Sequence, residues 1–186
     1  MIMNRISSLA TLAAFAAACV SIPASAELKV GAKAPDFTAD GALDGKDFSF
    51  NLGTALKKGA VVLYFYPKAF TKGCTIEAHA FAEATADFNA AGATVIGMSN
   101  DDVPTLKRFS TEECRSKFAV ASAKPAVVKA YDVALKVAGV PLGLTKRTSY
   151  VIGRNGKIVL VHSDMSPADH VRLTLEAVKG LKAKKG

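Results

Sequence analysis

The longest uninterrupted apolar run after residue 26 is Val61-Val62-Leu63-Tyr64-Phe65-Tyr66, and Ala93-Thr94-Val95-Ile96-Gly97-Met98-Ser99 is nearly as apolar. Runs this short without polar alternation predict strands covered on both faces, as in a parallel sheet. Between them, residues 71–91 read as a helix, so the three segments form a βαβ unit. A helix with Pro104 in its first turn follows, capped by Asp101 or Asp102. A second βα pair is predicted at Phe118-Ala119-Val120-Ala121 and Pro125 to Asp132. Two hairpins are expected. One pairs Phe37-Thr38 with Phe48-Ser49-Phe50 around Asp44-Gly45; the other pairs 149–152 with 158–162 around Asn155-Gly156, a strong two-residue turn signal. The last helix is predicted to begin at Ser166-Pro167-Ala168-Asp169 and to present Val171, Leu175, Val178 and Leu181 on its apolar face. Residues 134–146 are Gly-rich and carry no period that assigns them to an element.

The amino terminus changes the picture of the domain. Arg5 precedes a small-apolar run from about Leu9 to Val20, broken by Ser21-Ile22-Pro23 and followed by Ala24-Ser25-Ala26. This is the pattern of a secretory signal peptide over residues 1–26, leaving residues 27–186 as one domain. Cys19 after Ala16-Ala17-Ala18 also permits a lipoprotein reading, although Ala16 stands where a lipid-attachment motif has leucine. The expected location is outside the cytoplasm, the periplasm for a Gram-negative source, with no stable membrane insertion. The chain has 186 residues and a net charge of +8. Lys179, Lys182, Lys184 and Lys185 crowd the end, where a solvated helix terminus explains them. No aromatic residue interleaves them, so nucleic acid is not an expected partner.

Cys74 and Cys114 remain after the signal segment, in no Cys-x-x-Cys pair, and His79, His162 and His170 show no metal-ligand spacing with them. Cys74 lies in the first turn of the 71–91 helix, at the exit of strand 61–66. Unpaired N–H groups and the helix dipole favour negative charge there, hence a thiolate.

The string Tyr64-Phe65-Tyr66-Pro67-Lys68, with Thr71, Gly73-Cys74-Thr75 and Glu77-Ala78, resembles the peroxidatic motif of the peroxiredoxins, in particular the peroxiredoxin Q or bacterioferritin comigratory protein branch. Ala34-Pro35-Asp36-Phe37 and Arg147-Thr148-Ser149-Tyr150-Val151-Ile152 fall in the order of that branch. The resemblance covers roughly residues 31–181. It implies an α/β thioredoxin-like fold, a central mixed sheet flanked by helices, and a thiol-dependent peroxidase with no cofactor and no metal. Its substrates would be hydrogen peroxide and small alkyl hydroperoxides, and its reductant a thioredoxin-like dithiol protein. The expected state is a monomer or weak homodimer.

By the same resemblance Cys74 is the peroxidatic cysteine, Thr71 and Arg147 orient the peroxide and stabilise charge, Pro67 shields the thiolate, and Glu77 buttresses Arg147. Plainer readings stand beside each of these. Thr71 can be a helix cap, Pro67 a strand terminator, Arg147 a surface ion-pair residue, and Glu77 a solvated helix acid. His79 occupies the position where many relatives carry a resolving cysteine. Cys114 is therefore the candidate resolving residue, within the polar run Ser110 to Lys117. At helical pitch it falls about 20° from Val103, on the apolar stripe with Leu106, so a buried core cysteine is the alternative; its polar neighbours argue against burial. A one-cysteine cycle resolved by an external thiol, and a redox-sensing or thiol-relay protein, are the competing functions. Ala78 removes the Cys-x-x-x-Cys pair that a copper-delivery protein of this fold requires.

Overall fold

The structure is a computed structural model that describes residues 28–183. The proposed signal segment, Cys19, Lys184 and Lys185 lie outside the described residues. Fourteen elements follow one another among those described. Strands β1 (Thr38–Leu43) and β2 (Lys46–Asn51) form the first hairpin. Asp44 and Gly45 between them both have positive φ, 52° and 71°, as a two-residue primed turn requires. Asn51 then caps a short helix, α1 (Leu52–Lys58), its side-chain oxygen accepting from the Thr54 N–H at 2.8 Å. The chain continues through β3 (Ala60–Phe65), α2 (Lys72–Ala90), β4 (Ala93–Ser99), α3 (Val103–Glu112), β5 (Ala119–Ser122) and α4 (Pro125–Ala130). It closes with β6 (Ala134–Val137), β7 (Val140–Thr145), β8 (Thr148–Ile152), β9 (Ile158–Ser163) and α5 (His170–Ala183).

Seven strands make one sheet in the order β2-β1-β5-β4-β3-β8-β9. The pairs β3–β4 and β4–β5 are parallel, and β8 runs antiparallel to β3. Strand β3 shows why its sequence does not alternate. Val61, Leu63 and Phe65 enter one core with Tyr131 and Tyr150, whereas Val62 and Tyr64, followed by Tyr66, enter the opposite core with Phe81, Phe88, Phe109 and Val178. A strand buried on both faces must be apolar at every position.

Three sequence expectations are corrected. The last helix starts at His170, not at Ser166. The Asp164 carboxylate accepts the Ser166 N–H at 2.8 Å, and this local side-chain turn takes the place of the first helical turn. Residues 134–145 form the two-stranded β6–β7 hairpin, turning through Ala138 and Gly139 at φ 50° and 82°. Gly143 at φ 72° and a register shift near Ala134 break its periodicity. The Asn155-Gly156 turn is longer than two residues: β8 and β9 pair through Ile152↔Ile158, with Gly153 donating to the Lys157 carbonyl at 2.9 Å. Of the two candidate caps before Pro104, Asp102 is the one used; it accepts from the Thr105 N–H at 2.9 Å.

Candidate active site

The site grows from the end of β3. Beyond Tyr66 the chain cannot continue in the ladder, because Pro67 has no N–H. The half-buried Pro67 opens a short loop that reaches α2 at Lys72. Two groups fix this loop. Thr145, at the end of β7, donates its hydroxyl to the Tyr66 carbonyl at 2.6 Å, and Asp101 accepts the Ala69 N–H at 2.8 Å. Asp101 is itself held by the Ser99 hydroxyl at 2.7 Å. Phe70 takes a left-handed backbone conformation, φ 63°, and packs edge-on against Phe109.

Thr71 stands at the N-cap position of α2 but does not cap with its side chain. Its hydroxyl donates to the Lys68 carbonyl at 3.0 Å, and the residue is exposed. Cys74 lies in the first turn and is 1% exposed. Arg147, between β7 and β8, meets it because β8 pairs directly with β3. The guanidinium forks three ways: one NH2 group lies 3.5 Å from Cys74 Sγ, the other donates to Glu77 Oε2, and Nε donates to the Met165 carbonyl at 3.0 Å. Gly73 admits this approach, since a Cβ there would stand 3.1 Å from the Arg147 nitrogen. Glu77 is one helical turn beyond Cys74 and fully buried. Burial pushes its carboxyl up to about 8, against the opposing pull of the Arg147 charge.

A buried polar network backs this pair. His170, the first residue of α5, places Nε2 2.9 Å from the Asp164 carbonyl and Nδ1 2.8 Å from the Ser149 hydroxyl. Its Nδ1 is also 3.7 Å from Glu77 Oε1. Burial lowers the His170 imidazole to about 4, so the ring is neutral near pH 7. Asp164 and Met165 thus offer adjacent carbonyls to His170 and Arg147.

Cys114 falls two residues past α3 and is fully buried, contrary to the expectation drawn from its polar neighbours. Burial, and then the Glu113 charge, push its thiol well up. It shares a core with Cys74, and between α2 and α3 Tyr64 stacks on Phe81 and Tyr66 on Phe109. Both thiols are free. Two contacts tie the Cys114 turn to α2: a His79–Glu113 hydrogen bond at 2.7 Å and the Glu83–Arg115 ion pair at 3.1 Å. Arg115 and Ser116 both have left-handed φ, 50° and 58°.

The structure therefore gathers Cys74, Arg147 and Glu77 into one contact set, puts Thr71 and Pro67 on the loop before them, and leaves Cys114 apart. Sequence reading quotes Gly73 and Ser149 within motifs and Asp101 as a possible helix cap, but gives none of them, nor His170, a place in the site. The pairing of β8 with β3, a signal already in the strand order, points to Ser149; nothing local marks His170. No group of His, Cys, Asp and Glu among the described residues is arranged to hold a metal, and no described helix is long and apolar enough to cross a membrane.

A buried thiol at a helix start, met by an arginine fork from the neighbouring strand of a thioredoxin-like sheet, is an arrangement suited to a thiol-dependent peroxidase. The AhpC/TSA family profile matches residues 30–161. The chloroplastic peroxiredoxin Q of Suaeda salsa is 34% identical over 157 residues, 84% of this chain and 70% of that protein. That of Arabidopsis thaliana is 34% identical over 155 residues, 83% and 68% respectively. Among solved structures, a peroxidoxin of Mycobacterium tuberculosis superposes with a TM-score of 0.73 at 30% identity, covering 83% of this chain and 99% of that one. Peroxiredoxin Q of Xanthomonas campestris gives 0.70 at 27% identity, covering 86% and 99%. The chain belongs to the AhpC/TSA family and is a peroxiredoxin.

Proposed function

We propose that the protein reduces hydrogen peroxide and small alkyl hydroperoxides, with Cys74 as the attacking thiolate and Cys114 as the resolving thiol. The observation that carries this reading is the Arg147 nitrogen 3.5 Å from a sulfur set in the first turn of α2. The thiolate attacks the terminal peroxide oxygen, the O–O bond breaks, and Cys74 becomes a sulfenic acid. Thr71 supplies a hydroxyl on the loop before Cys74 whose oxygen can accept from a peroxide; to donate to one it exchanges its bond to the Lys68 carbonyl. Arg147 stabilises the charge that moves from sulfur to the departing oxygen. Pro67 supplies an apolar wall without a competing N–H, and Glu77 orients Arg147.

Cys114 then condenses with the sulfenic acid, releasing water, and a dithiol protein restores both thiols by exchange. A disulfide needs Cα atoms within about 7 Å. The expected motion is a local unwinding around Cys74, Cys114 or both, and the left-handed Arg115 and Ser116 make the Cys114 turn a strained segment. One observation favours a one-cysteine cycle: Cys114 is fully buried and burial holds it as a thiol. We further infer that residues 1–26 export the protein, on the strength of the Arg5, apolar and Ala24-Ser25-Ala26 pattern.

A stoichiometric peroxide pulse on the reduced protein tests the cycle. Intact mass should fall by about 2 Da for one disulfide, and peptide mapping should join Cys74 to Cys114. Cys114→Ser should accumulate sulfenic and then sulfinic acid at Cys74. Wild type that stops at sulfenic acid, with Cys114 a free thiol, establishes the one-cysteine cycle instead.

A further inference from the structure

We propose that Glu77 carries a proton on Oε1 while Cys74 is a thiolate, and gives that proton up when peroxide oxidises the thiolate. The inference rests on Cys74 being the attacking thiolate, and it assigns Glu77 a role beyond orienting Arg147.

The geometry around Glu77 sets the argument. Its Oε2 accepts from Arg147, but its buried Oε1 has no hydrogen-bond partner. An ionised carboxylate oxygen left without a donor away from water is costly. What Oε1 faces instead is Nδ1 of His170, at 3.7 Å. The state of that nitrogen follows from its partners. The Asp164 carbonyl can only accept, so Nε2 of His170 must donate to it. In a neutral ring Nδ1 then bears a lone pair, to which the Ser149 hydroxyl donates. That lone pair is taken by Ser149, so Nδ1 offers no donor to an ionised Glu77; a proton on Oε1 removes the repulsion of an uncompensated buried charge facing it.

Charge counting leads to the same place. The groups that face Glu77 are Cys74 on its own helix, Arg147 and Ser149 on the β8 side, the buried Tyr64 phenol of β3, held neutral by burial, and His170 from α5, with the His162 ring edge-on to His170 at 4.5 Å. Arg147 is the fixed cation of this set. Cys74 and Glu77 are two buried acids beside it, 1% and 0% exposed. Two anions against one cation in a site closed to water repel one another, so ionisation of one acid favours protonation of the other. Burial raises the Glu77 carboxyl to about 8, which is consistent with a proton held near pH 7.

The chemical balance is then simple. Cys74–S⁻ and ROOH give Cys74–SOH and RO⁻; the S–O bond forms, the O–O bond breaks, and sulfur loses two electrons to the peroxide. The alkoxide takes one proton to become ROH, and Glu77 releases one as its acid partner becomes neutral. The site stays electroneutral before and after, first as Arg147⁺ with the thiolate, then as Arg147⁺ with the Glu77 carboxylate. Net proton exchange with the medium is zero. Disulfide formation from the Cys114 thiol releases water and moves no further proton.

The test counts protons. Reduced protein is mixed with one equivalent of hydrogen peroxide in weak buffer at about pH 7, with a pH indicator and the ultraviolet absorbance of the thiolate followed together. Wild type should lose its thiolate absorbance with no proton taken up, and Glu77→Gln should take up one proton per peroxide. Uptake of one proton by wild type overturns the proposal, as does zero uptake by a Glu77→Gln protein that loses the same absorbance. Peroxide consumption without any thiolate absorbance to lose overturns both this proposal and the reading of Cys74. Should Glu77→Gln fail to fold, the infrared difference spectrum of wild type labelled with ¹³C-glutamate decides: a protonated glutamic acid band should vanish on oxidation, and no loss of such a band refutes the proposal.

Discussion

Replacing Arg147 by Met separates the electrostatic part of the site from its packing. Met fills much of the same volume and keeps the position apolar, but the fork to Cys74, Glu77 and the Met165 carbonyl disappears. A unit charge 3.5 Å from a thiolate is worth about 5 kcal/mol at an effective dielectric of about 20. Water entering the variant recovers part of this. The loss expected is therefore that of one transition-state charge contact, about 3–4 kcal/mol or roughly a hundred- to thousandfold in the peroxide rate constant. Stability falls less than the ~3–5 kcal/mol typical of a broken buried pair, because a Glu77 that already holds a proton is not left as an unpaired buried charge. Arg147→Lys retains charge without the planar fork and should fall between, near tenfold. Stopped-flow peroxide kinetics and urea denaturation read the two effects separately. A rate constant within about threefold of wild type for Arg147→Met would mean that this arginine only packs, and the electrostatic account of the site would have to be dropped.

Three further outcomes follow from the same contacts. Thr71→Val should slow peroxide reduction by about a hundredfold while costing less than ~1 kcal/mol of stability, since the hydroxyl makes no capping bond; the opposite pattern would restore Thr71 to a purely structural role. Glu113→Gln loosens the His79 contact and removes the charge that adds to burial in raising the Cys114 thiol, so disulfide formation after a peroxide pulse should quicken about two- to fivefold by quenched-flow mass analysis; an unchanged rate would mean the contact does not restrain the turn. His170, lowered by burial to about 4 against 6.5 unfolded, makes the unfolded chain the better proton acceptor. Its contribution, about 3 kcal/mol, should be full above about pH 6.5 and lost as pH falls through about 4; urea midpoints across that range should fall less steeply in His170→Gln, and identical slopes would refute the assignment.

The fold was legible wherever one property of the chain settled an element. Strand β3 announces itself because both its faces are buried, and the β1–β2 turn because Asp44-Gly45 suits two consecutive left-handed residues. The β6–β7 hairpin was not legible: Val137, Val140 and Leu142 are exposed, so apolar position there carries no inside–outside meaning. Helix α5 was placed four residues early because Ser166-Pro167-Ala168-Asp169 has a helix-start composition, and the competing turn comes from Asp164, upstream of that window. Cys114 was misjudged for a related reason. The polar ends of Glu113 and Arg115 are held by His79 and Glu83 on α2, which lets a cysteine between them turn inward.

The site divides along the same physical line. Cys74, Thr71, Gly73 and Glu77 are within seven residues of one another, so helix geometry alone puts the thiol at the N-terminus and Glu77 on its side. Arg147 needs one tertiary fact, the adjacency of β8 and β3, which the strand order supplies. His170 needs more. It sits 96 residues from Cys74, on an element whose start was misplaced, and it reaches the site only through Glu77 and the Asp164–Met165 carbonyls. No spacing marks such a residue, because its partners are a backbone carbonyl, a hydroxyl and another buried acid. What identifies it is the unpaired Glu77 oxygen in front of it. A motif displays the groups that touch the substrate; the groups that decide how many protons the site holds become visible only when every buried polar atom has been assigned a partner.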